Sequence, residues 1–322
     1  MKISVVIPTY NSSAFIQNSL QSVFRQSRPA DEVLVLDDGS QDETTAILNS
    51  CKPKLTVFQQ TNQGVAVARN ELCKRASGDL IGFLDHDDIW HPDYLAVQQD
   101  NFARHPQAGA FFTGHENFKG YGDYEWTKDP GIVADAAETI TPVDFLRRYH
   151  NAPGPFASMS YCCIPKSVLD RLGPAPFHPE LSGVDDYYVL HTLLLLGGPI
   201  VYDSRPMVAY RITPGAQSAS LLKAVKRAVY ALELLEPQFD QKAGVALGKA
   251  FRAAFSAQRR EYGRILMGSS QVEEARRQFR GSLAYGLMPE SWVKSLALLL
   301  LTRVPSRLQP KWPAERKLSH SL

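Results

Sequence analysis

The sequence predicts an α/β fold with a mostly parallel sheet flanked by helices, followed by a separate all-helical region. Short apolar runs of strand length alternate with helical patterns over about the first two thirds of the 322 residues. Beyond Ser220, apolar residues recur only at helical spacing, up to about Arg303. Strands that alternate with helices pair in parallel through right-handed crossovers. We therefore place a domain boundary between residues 217 and 218, with a helical region over residues 218–322.

The first predicted elements follow from short apolar runs and the residues that flank them. The first strand covers residues 3–8 and is expected to end at Pro8, because proline cannot donate to a sheet ladder. Asn11–Ser13 offers a cap for the next helix, and Ser40 offers one for a helix with acidic residues in its first turn. Further strands are predicted at 33–36, 55–58, 80–84 and 110–112, and further helices at 65–76 and after Pro92.

The pattern becomes irregular between Gly114 and Tyr161, where glycine, proline and aromatic residues are mixed. One helix is predicted inside this stretch, at residues 143–149. A helix that begins at Asp185 and ends at Gly197 follows, because glycine commonly ends helices. Two short strands, near residue 201 and at residues 207–210, complete the predicted α/β region.

Three carboxylates follow the apolar run at residues 80–84. On an extended backbone, residues two apart point to the same side, so Asp85 and Asp87 are predicted to aim at one point while His86 faces away. Two carboxylates this close repel each other unless a hard divalent cation lies between them. The alternative is a solvated acidic loop, with Asp88 near the start of the next helix.

The predicted crossovers bring separate polar motifs to one edge of the sheet. Pro8-Thr9-Tyr10, Asp37-Asp38 and Asp85–Asp88 each follow or end a predicted strand. Open α/β sheets bind ligands at the carboxyl ends of their strands. These motifs therefore predict a site of about nucleotide size at that edge.

The net charge is only +2, but the charges are unevenly distributed. Residues 221–322 contain 18 Lys and Arg against 8 Asp and Glu, whereas residues 1–220 contain 17 against 25. An acidic first part can serve a metal site, and a basic last part can meet an anionic membrane or substrate. The four cysteines have no metal-ligand spacing and are expected to be reduced thiols, and the first residues lead directly into a strand without a secretory signal.

Five motifs occur in one order along the chain: Val5–Asn11, Asp37–Ser40, Asn62–Gly64 with Ala68–Asn70, Asp85–Asp88 and Asp185-Asp186. This ordered set resembles the family 2 glycosyltransferases, whose catalytic domain has the Rossmann-like GT-A fold. The resemblance covers roughly residues 1–215. It implies a GT-A catalytic domain over residues 1–217, with a nucleotide-sugar half at about 1–113 and an acceptor half at about 114–217.

The resemblance also implies a nucleotide-diphosphate sugar donor. Pro8, Thr9 and Tyr10 would border its nucleoside. Asp38 would accept the imide N–H of the base, which favours UDP or dTDP. Asn62 and Gly64 would flank the donor less directly.

Metal binding and base catalysis are likewise implied by the resemblance. Asp85 and Asp87 match the aspartate-x-aspartate motif that holds Mg²⁺ or Mn²⁺ on the donor diphosphate. Asp186 matches the general base, and Asp185, which stands where glutamate is more usual, is its competitor. One base on the face opposite the leaving group is sufficient for a single displacement, which inverts the anomeric carbon.

The residues allow two interpretations of Arg69 and of His86. Arg69 either flanks the donor on the diphosphate side or forms an internal ion pair. His86 is counted with the donor-binding residues, although hard cations rarely need imidazole and a structural role is the alternative. Arg211 is expected to face the phosphates, but Thr213 stands where many family members carry a histidine that reaches the metal or the diphosphate.

The basic region is predicted to form three or four amphipathic helices over residues 221–303. Its most apolar piece, residues 291–301, is too short to span a bilayer. One interpretation is a helical bundle packed on the catalytic domain or on a second subunit in a homodimer. The other is an interfacial helix with its apolar face in an anionic membrane surface. Binding to nucleic acid is not expected, because no recognisable motif accompanies the positive charge.

These observations predict an inverting glycosyltransferase. It would move a sugar from a nucleotide-diphosphate donor to a hydroxyl of a glycan or lipid-linked acceptor, in polysaccharide or glycolipid biosynthesis. The alternative is a non-catalytic sugar-nucleotide-binding or assembly subunit of the same fold. The expected location is the cytoplasm, with peripheral binding to the inner face of the cell membrane if the basic region contacts lipid.

Overall fold

The computed structural model describes residues 1–52, 54–126, 136–151, 156–213, 221–285 and 289–304, with side chains from residue 291 onward in the last segment. The chain forms two compact units. The first contains residues 1–142 and 156–214, and the second contains residues 143–155 and 215–322. The predicted boundary between residues 217 and 218 lies outside the described residues.

The first unit is built on a mixed β-sheet. The strands of its described part are β1 (Ile3–Thr9), β2 (Glu32–Asp37), β3 (Thr56–Gln59), β4 (Leu80–Phe83), β5 (Ile89–Trp90), β6 (Ala110–Phe118), β7 (Ala137–Ile140), β8 (Cys162–Pro165) and β9 (Ile200–Arg211). The strand order is β3-β2-β1-β4-β8-β6-β9-β5, and β7 also pairs with β9. The first four strands pair in parallel, whereas β4–β8, β6–β8, β5–β9 and β7–β9 are antiparallel. β6 and β9 also pair in parallel. The predicted α/β class is confirmed, with parallel pairs both among the first four strands and between β6 and β9.

The helices of the described residues follow the order expected from the sequence. They are α1 (Ile16–Phe24), α2 (Thr44–Ser50), α3 (Val65–Arg75), α4 (Tyr94–Arg104), α5 (Pro142–Asn151), α6 (Lys166–Leu172), α7 (Asp185–Leu194), α8 (Leu221–Lys242), α9 (Val245–Gly268), α10 (Val272–Ala284) and α11 (Pro289–Leu301). Those up to α4, with α6 and α7, belong to the first unit, and α8–α11 belong to the second. The region after residue 220 is therefore helical, as predicted.

Pro8 does not end the first strand, so that expectation was wrong. β1 continues to Thr9, and Pro8 pairs with Leu36 of β2. On the other side of β1, pairing with β4 stops at Val6 and Phe83. Pro8 is tolerated because no ladder partner on the β4 side requires its missing N–H.

The predicted side-chain caps of α1 and α2 are not formed. Instead, the hydroxyl of Ser40 accepts the backbone N–H of Asn11 (2.9 Å), and the Asn11 side chain accepts the N–H of Gln41 (2.8 Å). Asn11 has a φ of 46°, a left-handed conformation that asparagine tolerates better than most residues. These bonds join the loop after β1 to the loop after β2.

The two short strands predicted near residues 201 and 207–210 are one strand, β9. It pairs with β6 along its whole length, so β6 continues beyond the predicted residue 112 to Phe118. The register shifts around Gly114, which pairs with Pro206. A Cβ on Gly114 would lie 2.7 Å from the carbonyl oxygen of Ser204, so only glycine fits there without a backbone shift.

The second unit has its own core. Phe239 stacks on Phe251 with ring centroids 4.0 Å apart, and Phe255 stacks on Tyr285 at 4.5 Å.

In the part of the chain that the structure describes, every helix is too short or too polar to cross a bilayer.

Candidate active site

The acidic motif after β4 forms a turn and not an extension of the strand. β4 ends at Phe83, and the N–H of Asp88 donates to the carbonyl oxygen of Asp85 (3.2 Å). The strand alternation expected for Asp85 and Asp87 is therefore wrong. Both side chains are half-buried, whereas Asp88 is almost fully buried. Burial, followed by repulsion from Asp87 and Asp85, raises the pKa of Asp88 well above its usual value, which favours the neutral form.

A buried arginine on α3 connects this turn to the start of α7. Nη2 of Arg69 lies 2.5 Å from Oδ1 of Asp85, and Nη1 donates to Oδ2 of Asp185. Burial alone would lower the pKa of Arg69, but attraction to Asp185, Asp85 and Asp186 outweighs it and raises the pKa. Of the two interpretations of Arg69, the internal ion pair is the one present in this structure.

The two carboxylates at the start of α7 have different environments. Asp185 is 1% exposed, and its second oxygen accepts the N–H of Gly183 (3.1 Å). Asp186 is half-buried and accepts the N–H of Tyr187 (2.7 Å). Burial and the charge of Asp185 raise the pKa of Asp186 to about 7, although Arg69 opposes the shift. A carboxyl group with this pKa can accept a proton near neutral pH.

Arg211 at the end of β9 and Thr213, two residues after the strand, contact the acidic turn. The hydroxyl of Thr213 donates to Oδ2 of Asp87 (3.2 Å), and Nε of Arg211 donates to the carbonyl oxygen of Asp87 (2.6 Å). The other guanidinium nitrogens of Arg211 donate to the carbonyl oxygens of Gly120 and Gly122. In this structure Arg211 is thus directed at backbone carbonyls, where it holds a loop against the turn.

Asp38 organises the loop between β3 and α3. Its carboxylate accepts the backbone N–H groups of Gln63 (2.9 Å) and Gly64 (2.8 Å) and the side-chain amide of Gln60 (2.7 Å). The side chain is only 3% exposed. Gly64 has a φ of 90°, a conformation that favours glycine. A nucleoside base would have to share this carboxylate with groups that already bind it.

The remaining predicted donor residues lie around Asp38 or on the acidic turn. The carbonyl oxygen of Thr9, which follows Pro8 in β1, accepts the N–H of Asp38 (2.8 Å), and Tyr10 is 42% exposed. Asn62 is also exposed. Its backbone nitrogen would lie 3.0 Å from the Cβ atom of any residue that replaced Gly39. The carbonyl oxygen of His86 accepts the hydroxyl of Ser19 (2.8 Å), which is a structural contact.

One cluster near the carboxylates was not selected from the sequence. The ring of His115 stacks on Tyr161 with centroids 4.7 Å apart and meets the edge of Tyr210 at 5.9 Å. The next residue, Arg211, donates its backbone N–H to Asp88 (2.8 Å), so this part of β9 runs beside the acidic turn. Burial, followed by repulsion from Asp88, Asp85 and other carboxylates, raises the pKa of Tyr210. Aromatic residues between Gly114 and Tyr161 were the only sequence signal, and spacing alone could not choose among them.

A divalent cation fits this site only if the substrate supplies most of its ligands. Within the described ranges, no group of three or more His, Cys, Asp or Glu side chains is arranged to hold a metal ion. Mg²⁺ bound to phosphates commonly uses one or two carboxylates and several waters. Asp87, half-buried and contacted by one hydroxyl, is suited to that arrangement, whereas Asp85 shares its carboxylate with Arg69.

Open α/β sheets bind their ligands at the carboxyl ends of the strands, where Asp38 and the acidic turn of this chain lie. The sequence model of glycosyl transferase family 2 matches residues 4–173. The chain therefore belongs to glycosyl transferase family 2.

Solved structures agree on the fold. The chain is similar to the Staphylococcus aureus protein TarS (residues 1–349), crystallised with UDP-GlcNAc, with a TM-score of 0.59 and 19% identity. The match covers 94% of this chain and 90% of that one. At this identity the likeness shows the fold alone, and it confirms the GT-A type.

Curated relatives match shorter stretches of the sequence. The putative teichuronic acid biosynthesis glycosyltransferase TuaG of Bacillus subtilis is 37% identical over 35% of this chain and 46% of its own length. The Escherichia coli UDP-Glc:alpha-D-GlcNAc-diphosphoundecaprenol beta-1,3-glucosyltransferase WfgD is 28% identical over 70% of this chain and 83% of its own. An uncharacterized glycosyltransferase of Rickettsia felis is matched over only 16% of its length. The chain thus spans less than half of several curated relatives.

Proposed function

We propose that this protein is an inverting glycosyltransferase that moves a sugar from a nucleotide-diphosphate donor to a hydroxyl of a glycan or lipid-linked acceptor. The observation that carries the proposal is Asp186, a half-buried carboxyl with a pKa of about 7 beside the ion pairs that join α7 to the acidic turn. The names of TuaG and WfgD support a role in cell-envelope polysaccharide or glycolipid biosynthesis.

The chemistry requires one base and a stabilised leaving group. The oxygen of the acceptor hydroxyl attacks the anomeric carbon of the donor sugar while Asp186 accepts the hydroxyl proton. The bond between the anomeric carbon and the diphosphate breaks on the opposite face. Such a base contributes about 10²–10⁴-fold to the rate. Asp185 is already bound to Arg69 and Gly183, so Asp186 is the better candidate of the two.

The donor side is assigned to the loops around Asp38. Pro8, Thr9 and Tyr10 border the nucleoside in this proposal, Asn62 flanks the donor less directly, and UDP or dTDP is the favoured leaving group. TarS was crystallised with UDP and with UDP-GlcNAc, and WfgD is named for a UDP-glucose donor, which supports a uracil base.

Asp87 and Asp85 are the residues that would hold Mg²⁺ or Mn²⁺. When bound, the cation supplies Lewis-acid stabilisation of the negative charge that develops on the leaving diphosphate. The chain's own contribution is to hold the turn: Arg69 fixes Asp85 on one side, and Thr213 contacts Asp87 on the other. Thr213 stands where many members of the family carry a histidine.

Nucleotide binding measured by calorimetry tests the donor site. UDP, dTDP, GDP and CMP are titrated into the protein with Mn²⁺ and again with EDTA. We expect one uracil or thymine diphosphate to bind in the presence of metal, and EDTA to weaken it at least about tenfold. The Asp85→Ala/Asp87→Ala variant should lose the metal-dependent part, whereas Asp170→Ala, which removes an exposed carboxylate on α6, should not. Absence of binding for all four nucleotides would contradict the proposal.

The pKa of Asp186 predicts the pH dependence of turnover. Because the base must be deprotonated, kcat/KM for the acceptor should fall about tenfold per pH unit below about pH 7. The same raised pKa means that the folded state binds the proton more tightly than the unfolded state does. The free energy of unfolding should therefore decrease as pH rises from about 4 to about 7. A pH–rate profile that stays flat over that range would exclude Asp186 as the base.

The proposal extends to the organisation of the whole chain. The catalytic domain covers residues 1–217 and the basic helical region residues 218–322. A cytoplasmic location follows from the expected nucleotide-sugar donor. The non-catalytic alternative would retain donor binding but lack turnover.

A further inference from the structure

In α11, the last described helix, polar residues face the interior of the second unit and apolar residues face solvent, the reverse of the usual arrangement. Two stripes run along α11 at helical spacing, and each contains residues that share one face. One stripe consists of Ser291, Ser295 and Leu298 and is continued by Thr302, the residue after the helix. Ser295 (0% exposed) and Thr302 (4%) are buried. The other consists of Trp292, Val293, Leu296, Leu299 and Leu300, and we call it the apolar stripe.

The polar stripe is satisfied inside the second unit. Arg260 of α9 donates to the hydroxyl of Ser291 (2.8 Å), and the hydroxyl of Ser295 donates to the carbonyl oxygen of Ser291 (3.0 Å). Arg276 of α10 donates to the hydroxyl and to the carbonyl oxygen of Thr302, both at 3.1 Å. These bonds fix which face of α11 is turned inward.

The apolar stripe is consequently turned toward solvent. Trp292 is 47% exposed, Val293 59% and Leu300 51%, while Leu296 and Leu299 are half-buried. Single exposed apolar residues are common on protein surfaces, but a continuous exposed apolar patch marks an interaction site.

Charge identifies the kind of surface that the stripe meets. Arg303 follows the stripe at its carboxyl-terminal end, seven residues after Leu296, and is exposed. Residues 221–322 carry ten more basic than acidic residues. A second copy of the chain would bring the same positive charge against this face, so association of two copies is opposed electrostatically. An anionic lipid surface accepts both the apolar side chains and the positive charge of Arg303 and the surrounding basic region.

We propose that α11 is an interfacial helix that inserts the apolar stripe into an anionic lipid surface, with Arg303 at the headgroups. Its 13 residues are too few to span a bilayer, so the helix lies in the plane of the membrane. The tryptophan at its amino-terminal end suits the interface between headgroups and acyl chains. This attachment does not depend on the proposed transferase activity.

Co-sedimentation of the full chain with vesicles tests the proposal. One set of vesicles contains phosphatidylcholine and phosphatidylglycerol in equal parts, and the other contains phosphatidylcholine alone. We expect binding to the anionic vesicles only, reduced at least about tenfold in the Val293→Glu/Leu300→Glu variant. Val245→Glu is the matched control, because Val245 is a 77% exposed valine of the same unit outside α11. It should bind as the unsubstituted protein does.

Three outcomes would overturn the proposal. Equal vesicle binding by the stripe variant and the control would show that any lipid contact is made outside the apolar stripe. Absence of binding to anionic vesicles by the unsubstituted protein would show that the chain does not bind lipid. A mass of two chains by light scattering that falls to one chain in the stripe variant would assign the stripe to a second copy. Circular dichroism of each variant verifies folding. Nucleotide binding in the same variants should be unchanged, which separates this result from any failure of the proposed catalytic function.

Discussion

Replacement of Asp186 by asparagine should reduce turnover by about 10²–10⁴-fold while donor binding stays within about twofold of the original. Asparagine keeps the shape and can still accept the hydrogen bond from the N–H of Tyr187, but it cannot accept a proton from the acceptor hydroxyl. Single-turnover kinetics with a radiolabelled donor measures the first quantity, and calorimetry with the nucleotide measures the second.

The matched control is Asp170→Asn, which neutralises an exposed aspartate of α6 that pairs with Lys166. It should leave both quantities unchanged. If Asp186→Asn retained full turnover, the base would have to be another group, and Asp185→Asn would be the next variant to assay. If the unsubstituted protein bound donor without turnover on any acceptor, the non-catalytic alternative would gain support.

Replacement of Arg69 by methionine should destabilise the first unit by about 3–5 kcal/mol. The arginine is buried between Asp85, whose side chain is 26% exposed, and Asp185, whose side chain is 1% exposed. Methionine fills much of the volume but leaves the carboxylate of Asp185 buried without its cation. Urea unfolding followed by near-ultraviolet circular dichroism gives the free energy of unfolding.

Arg75→Met on the same helix is the control for this prediction. Arg75 pairs with Glu71 at the surface, where its side chain is 40% exposed, and such pairs contribute about 0–1 kcal/mol. A double variant, Arg69→Met with Asp185→Leu, should recover part of the lost stability because it removes the unpaired charge as well. Equal effects of Arg69→Met and Arg75→Met would show that the buried ion pairs do not support the unit.

The environment of the carboxylates explains why these two residues have large effects. Arg69 lowers the pKa of Asp186 while burial and Asp185 raise it, so the base candidate and the ion pairs are electrostatically connected. Loss of Arg69 should therefore also raise the pKa of Asp186 further. The pH–rate profile of a folded Arg69→Gln variant, which lacks the positive charge, would report such a change as a shift of its acidic limb to higher pH.

Local patterns were sufficient for most of the elements. The apolar runs predicted β2 and β4 to within one residue at each end, and the helical spacing predicted α3 almost to its last residue. Elements that depend on distant partners were predicted less well. β9 was taken as two strands because its irregular register is set by pairing with β6 around Gly114. Pro8 was taken as a strand end because the short extent of β4 on its other side cannot be read from the residues near it.

The sequence by itself determined the fold class, the order of the five motifs and the family, because apolar periodicity and residue identity are local properties. It could not determine how the carboxylates divide their roles. Asp85 and Asp87 do not alternate along a strand, because the chain turns directly after Phe83. The pairing of Arg69 with Asp185, 116 positions away, exists only in the folded chain. Burial and charge at that contact separate a bound carboxylate, Asp185, from one with a pKa near neutrality, Asp186, and both depend on distances that only the tertiary structure sets.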